Sequence, residues 1–338
     1  MAEQSKLEPV FTPPLAELLA HAEKSKGSPL TEAEALLVRD RARCVMTAAD
    51  DARQMDLSRG YRDINPDNCL ADWNRMRTQI TGRGYSPKLV LCLPGGDDYE
   101  ARAKSVLQQA GVEHEFRGRD TQMANAFAYA RCKARPSLSE HDLEAIARHS
   151  TVLYVLSRKF NSEQAAIVAR DFLQLGRQLL EVGGLGIKCE SSGIAHSASF
   201  WTELTTDAEE DADFRVNSGL DFWAAVYSAY VQLPIQSDTD FYSCGMHILG
   251  QPDMIVSTAL MSTNLADEEL ADYEAVKLFN GFGIYVSAEC GDRGFVSGHT
   301  FSLNSESRWY RVIWEPCEGY DEDDFFFNPY GRWRFVNP

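Results

Sequence analysis

The sequence predicts an α/β plus α+β protein, with N-terminal helices, then a mixed sheet with covering helices, then an acidic α+β region at the C-terminus. Three observations point there. Apolar residues recur at helical spacing up to about Thr81, strand-like and helix-like runs alternate from residue 87 to 198, and beyond Ser199 aromatic-rich strands crowd between long helices. A chain of 338 residues, 44% hydrophobic and 25% charged, is long enough for one large or two medium domains with full cores. The pattern divides it as 1–81, 87–198 and 199–338.

In the first region Leu15, Leu18 and Leu19 mark one helix. Thr31 with Glu34 three residues later caps a second. A third helix begins at Asn65-Pro66-Asp67 and runs through Trp73 and Met76, after a turn at Gly60-Tyr-Arg-Asp63. In the second region Lys88–Leu93 is a buried strand, Pro94–Asp98 a turn and N-cap, and Tyr99–Ala110 an amphipathic helix ended by Gly111. A strand follows near Glu113–Arg117, then helices at Thr121–Lys133 and from Ser139. The strand Thr151–Leu156, a long helix from Asn161 to Val182 and the strand Leu185–Glu190 complete a mainly parallel or mixed sheet. In the third region Leu220–Leu233 and Glu268–Phe279 have helical periodicity. Tyr242–Leu249, Gly283–Ala288, Phe295–Leu303 and Trp309–Trp314 have strand composition.

Charge is distributed unevenly. Residues 1–198 hold 26 Lys+Arg against 26 Asp+Glu, whereas residues 199–338 hold 7 against 24, so the formal charge of −17 belongs to the C-terminal part. A negative field of that kind repels nucleic acid and anionic lipid and draws in cationic partners. Neither nucleic acid nor membrane is therefore an expected partner, and a basic protein such as a nuclease is. The eight cysteines stand singly, without a CxxC pair or a Cys/His cluster of zinc-ligand type, as reduced thiols of a cytosolic protein do. The N-terminus has no apolar core of signal-peptide length, and no segment approaches a spanning run of roughly 20 apolar residues. A cytoplasmic location is expected.

Several segments could carry chemistry. Gly183-Gly184-Leu185-Gly186 follows a helix and precedes a strand, the reverse of a phosphate-binding loop, and reads as a helix end and tight turn. Pro94-Gly-Gly-Asp-Asp98 has the right order but lacks a Lys-Ser/Thr pair, and its carboxylates oppose a phosphate. Glu190, Ser192 and His196 could supply an acid, a nucleophile and a base at a strand end, for a small-molecule hydrolase or transferase. Against this, no nucleophile-elbow glycine spacing surrounds Ser192, and Ser197 or Ser199 equally caps the helix holding Phe200 and Trp201. His196, His247 and His299 lie in separate elements, so no metal site and no cofactor site is expected.

The acidic runs Asp207–Asp213 and Asp267–Glu269 suit solvated loops and helix starts. The third run differs. Glu318, Asp321, Glu322, Asp323 and Asp324 are followed at once by Phe325-Phe326-Phe327, and then by Tyr330, Trp333 and Phe335. Aromatic anchors beside carboxylates suit an interface with an apolar centre and charged rim; the competing role for these aromatics is the domain core. In an extended segment successive side chains alternate, which would turn Phe326 outward and its two neighbours inward. Glu318, Asp321, Glu322, Asp323, Asp324 and Phe326 are thus the candidate partner-binding residues.

The stretch from Thr151-Val-Leu-Tyr-Val through Gly183-Gly-Leu-Gly-Ile-Lys-Cys-Glu-Ser-Ser-Gly193 to Phe200-Trp201, followed by Tyr242-Ser-Cys-Gly-Met-His-Ile-Leu-Gly-Gln-Pro-Asp253, resembles uncharacterised bacterial domains found beside secreted toxin genes. In particular it is similar to the immunity proteins that protect a bacterium from its own type VI secretion effectors, several of which are nucleases. The resemblance covers about the last two-thirds of the chain. It implies a cytosolic, non-catalytic protein that occludes a toxin, and it assigns no individual residue a role.

Overall fold

In the computed structural model two compact units follow one another along the chain, Met1–Tyr85 and Ser86–Pro338. The structure describes residues 7–26, 28–59, 63–81, 87–136, 138–210, 220–261, 268–288, 295, 298–315, 317, 319–321 and 324–338. Its elements make a mixed α/β protein of the α+β kind.

The first unit is not wholly helical. Strand β1 (Leu7–Phe11) pairs antiparallel with β2 (Cys44–Ala48), and both precede helices, so the apolar helical spacing concealed a two-stranded ribbon. Around it stand α1 (Leu15–Lys26), α2 (Glu32–Arg41), α3 (Ala49–Arg59) and α4 (Cys69–Thr81). Thr31 and Glu34 form the capping box at α2. Asp63 caps α1 from a distance in sequence, its two oxygens accepting from the amides of Leu15 and Ala16 at 2.9 Å each. Leu15, Leu19, Ala35 and Trp73 are the centre of this unit's core. Of the expected turn, Gly60–Arg62 lies outside the described residues.

The second unit begins with β3 (Val90–Gly95), α5 (Tyr99–Ala110), β4 (Glu113–Gly118), α6 (Met123–Tyr129), α7 (Glu140–Ala147), β5 (Thr151–Leu156), α8 (Ser162–Glu181), β6 (Gly186–Cys189) and β7 (Ile194–Ser197). The sheet order is β4-β5-β3-β6-β7, and every pairing is antiparallel. This corrects the expectation of a mainly parallel or mixed sheet. Helix α5 does join two strands of the same direction, but β5 inserts between them; likewise α8 joins β5 to β6 across β3. That is the split β-α-β-β-α-β order, with α6 and α7 added between β4 and β5.

Alternation along the strands serves both faces. Leu91, Leu93, Leu153 and Val155 pack with Ala103 and Leu107 of α5 and with Leu173 of α8. Cys92 and Val152 turn the other way, onto Met123 and Phe127 of α6 and Ile146 of α7. The caps are those the sequence indicates: Ser139 with Asp142 at α7, Asn161 with Gln164 at α8, and left-handed Gly111 after α5.

The remainder comprises α9 (Ala198–Glu210), α10 (Leu220–Tyr230), β8 (Gln232–Gln236), β9 (Asp240–Cys244), a 3-10 turn at Met246–Leu249, β10 (Asp253–Ser257), α11 (Thr258–Met261), α12 (Glu268–Ala288), β11 (Thr300–Phe301), β12 (Tyr310–Glu315) and β13 (Arg332–Val336). These strands form a six-stranded sheet in the order β11-β12-β13-β10-β9-β8, in which only β10 and β13 run parallel. One continuous core joins the two larger sheets, running from Leu91 through Leu173, Trp201 and Tyr230 to Met254, Phe279 and Phe335.

Two expected strands are corrected here. Gly283–Ala288 is the last part of α12, where Phe282 and Val286 lie a helical turn apart in the core. Strand β9 stops at Cys244, so His247 sits in the 3-10 turn. Among the described residues no helix is long and apolar enough to cross a membrane.

Candidate functional site

The two most site-like segments of the sequence meet in the second unit. Strands β6 and β7 form a hairpin whose turn is Glu190–Gly193, so the presumed strand end before a helix is a reversal of the chain. Ser191 stitches that turn to β3: its hydroxyl donates to the Lys88 carbonyl at 2.7 Å and accepts from the Val90 amide at 3.0 Å. Gly193 has φ +74°, and a Cβ there would lie 3.5 Å from Cε1 of Phe326. Ser192 faces Gly245, whose φ is +117° and where a Cβ would stand 2.3 Å from the Tyr230 carbonyl oxygen and 2.8 Å from Ser192 Cβ. Only glycine fits that approach.

The loop from Glu315 to Arg332 supplies the other side. Its described residues form turns, with the Asp324 amide donating to the Asp321 carbonyl at 3.0 Å and the Phe327 amide to the Asp324 carbonyl at 3.2 Å. The Asp324 carboxylate accepts from the Phe326 amide at 2.8 Å. Strict alternation therefore does not apply. Phe325, 51% exposed, is the outward phenylalanine, while Phe326 is half-buried and meets Tyr320 edge to face at 5.7 Å. Phe326 is thus the inner prop of the loop and Phe325 its exposed tip. Asp321 is exposed and has no ion pair among the described residues. Glu318, Glu322 and Asp323 lie outside the described residues.

A buried polar knot fixes the loop's C-terminal end. Asn328, 1% exposed, donates from Nδ2 to the Gln251 carbonyl at 3.0 Å and to Asp253 Oδ2 at 2.7 Å, while its Oδ1 accepts from the Tyr330 amide at 2.9 Å. Asp253 Oδ1 accepts from Ser243 Oγ and from the Met246 amide, each at 3.1 Å. Burial pushes the Asp253 carboxyl up to about 7, against the opposing pull of Asn328, the Met246 amide, Ser243 and the Arg332 charge.

Glu190, Ser192 and His196 are not assembled into a catalytic set. Glu190 pairs with Lys188 at 2.5 Å. His196 is fully buried, its Nε2 donating to the Ala229 carbonyl at 3.0 Å and its ring packed beside Phe200 and Trp201. Among the described residues His196 Nδ1 has no hydrogen-bond partner, so it does not bond Ser192 Oγ. Burial lowers the His196 imidazole to about 4, leaving it neutral in the core. Ser197 caps α9 as its position suggests, accepting from the Phe200 amide at 3.2 Å. His247 is also fully enclosed, with neither ring nitrogen bonded among the described residues, and burial lowers it to about 4.

Among the described residues, no three His, Cys, Asp or Glu side chains are grouped to hold a metal ion. A separate cleft of about 560 Å³ lies between α8 and the neighbouring ends of β4 and β5, where Leu156 and Phe172 meet Arg158 and Asp171. None of the sequence-predicted residues lines it.

Two basic side chains of this region are engaged internally. Arg334 pairs with Glu315 at 2.7 Å and with Asp240 at 2.9 Å, and Lys277 lies over the Tyr273 ring. Comparison with known proteins adds nothing to this geometry: no family model, no curated protein and no solved structure matches the chain.

Sequence reasoning missed Asp253 and Asn328. Only Asn328-Pro329 carried a signal, as a dipeptide that starts turns. Asp253, 75 residues away, carried none.

Proposed function

We propose that this protein captures a basic protein toxin and neutralises it by occlusion. One observation carries the proposal: Phe325 stands 51% exposed on the same loop as exposed Asp321, and that loop is pinned by turns and by Asn328. The loop belongs to the part of the chain that holds all the net negative charge. An aromatic anchor with a carboxylate rim on a preorganised loop is suited to a cationic partner, the charges accelerating encounter and the ring slowing departure. Action in the bacterial cytoplasm, against a type VI secretion effector, follows from the resemblance of residues 151–201 and 242–253 to immunity proteins.

The test is purification of the tagged chain from its native host. A basic protein should come with it, separate as salt is raised, and lose its toxicity when the chain is added back. Recovery of only nucleic acid, or of no partner, counts against the proposal.

A further inference from the structure

The cleft of about 560 Å³ beside α8 is of the size that holds a small molecule. Its floor comes from the helix: Val168, Phe172 and Leu175 follow one another at helical spacing on one face, and each keeps 5% of its surface exposed. Leu156, the last residue of β5, and Val112, just before β4, complete the apolar part from the side of the sheet. Ile167, also in the lining, is 42% exposed. An apolar body laid on this floor removes hydrocarbon surface from water on both sides.

The charged groups of the lining are not evenly matched. Glu113 pairs with Lys88 at 3.1 Å and Asp171 with Arg170 at 2.7 Å, and neither of those cations lines the cleft. Arg158 does line it, is exposed, and has no side-chain hydrogen bond or ion pair among the described residues. Its backbone is held by Ser157, 2% exposed, whose hydroxyl accepts from the Leu89 amide at 2.9 Å and donates to the Arg158 carbonyl at 2.7 Å. In a chain of net charge −17, the unmatched charge at this cleft is positive.

We propose that this cleft binds a small amphipathic carboxylate, its apolar body on Val168, Phe172 and Leu175 and its acid group paired with Arg158. The planar guanidinium presents two parallel N–H donors to a carboxylate, and the neighbouring apolar floor keeps water from one side of that pair. A cationic ligand of the same shape meets two carboxylates that already have partners and one guanidinium that repels it. A neutral ligand gains the floor but leaves the guanidinium unmatched. The site stands apart from toxin capture, since none of the capture residues lines the cleft.

The experiment is a saturation-transfer NMR titration of the full chain with 3-phenylpropanoate, and with 3-phenylpropan-1-ol and 3-phenylpropylammonium as neutral and cationic counterparts of the same body. The carboxylate should saturate one site with a Kd of about 1 mM, as suits so small a ligand. It should bind about tenfold more tightly than the alcohol, the worth of one charge-assisted pair, and the ammonium should bind more weakly still. Arg158→Gln should weaken the carboxylate about tenfold and leave the alcohol unchanged. Ile167→Glu, which sets an anion in the lining at an exposed position, should also weaken the carboxylate and so place the binding at this cleft. Both exchanged side chains are exposed, so the fold should survive, as circular dichroism checks. Absence of saturation by the carboxylate, equal binding of the alcohol or the ammonium, or native carboxylate affinity in either variant would overturn the proposal.

Discussion

Phe326 lies over Gly193, so the turn between β6 and β7 and the aromatic loop before β13 share one corner of the second unit. The contact joins the two sheets' functional candidates through a glycine that the turn requires at φ +74°.

Alanine at the two glycines of this corner should have graded effects. At Gly193 the added Cβ meets Phe326 at an ordinary contact distance, so the cost is that of a left-handed residue, about 1–2 kcal/mol. At Gly245 it would strike the Tyr230 carbonyl and Ser192, and the loss should be distinctly larger. Urea unfolding checks the order, and an equal or reversed ranking speaks against this packing.

The phenylalanines should separate stability from recognition. Phe326→Ala removes the half-buried prop between Tyr320 and Gly193 and should cost about 1–3 kcal/mol of stability. Phe325→Ala should leave the melting temperature nearly unchanged, since its ring is largely in water. Thermal denaturation of both variants distinguishes them; a larger loss for Phe325→Ala would place that ring in the core.

Two buried histidines set the acid limb. Each imidazole is lowered from 6.5 to about 4, so its contribution to stability is fully present above about pH 6.5 and is lost as pH falls toward 4. Asp253 acts in the opposite sense across the same range, its folded form holding the proton more tightly than the unfolded chain. His247→Leu, which removes two nitrogens unbonded among the described residues, should stabilise the protein, by about 2 kcal/mol near pH 5. His196→Phe should instead destabilise at neutral pH by about 1–2 kcal/mol, because the Ala229 carbonyl loses its donor. Unfolding free energies at several pH values check both signs.

Local signals in the sequence were legible where the chemistry is local. Thr31 with Glu34, Ser139 with Asp142 and Gly111 each mark a helix end by side-chain or backbone geometry confined to a few residues. Sheet direction was not legible, because the helix linking β3 to β4 signals a crossover but says nothing of β5 inserting between them. Gly283–Ala288 has strand composition, yet it continues α12, where burial of Phe282 and Val286 outweighs intrinsic preference. The site followed the same division. The acidic aromatic loop stands out in sequence, whereas which phenylalanine faces water depends on the turns at Asp321 and Asp324, and Asp253 matters only through Asn328.

Association and dissociation rates with the purified basic partner bear most directly on the proposed capture surface. Asp321→Lys should slow association, most strongly at low ionic strength, with little change in dissociation. Phe325→Ala should accelerate dissociation about thirtyfold, the consequence of losing an anchor of roughly 2 kcal/mol, and leave association nearly unchanged. Native rates in both folded variants would contradict capture by this loop.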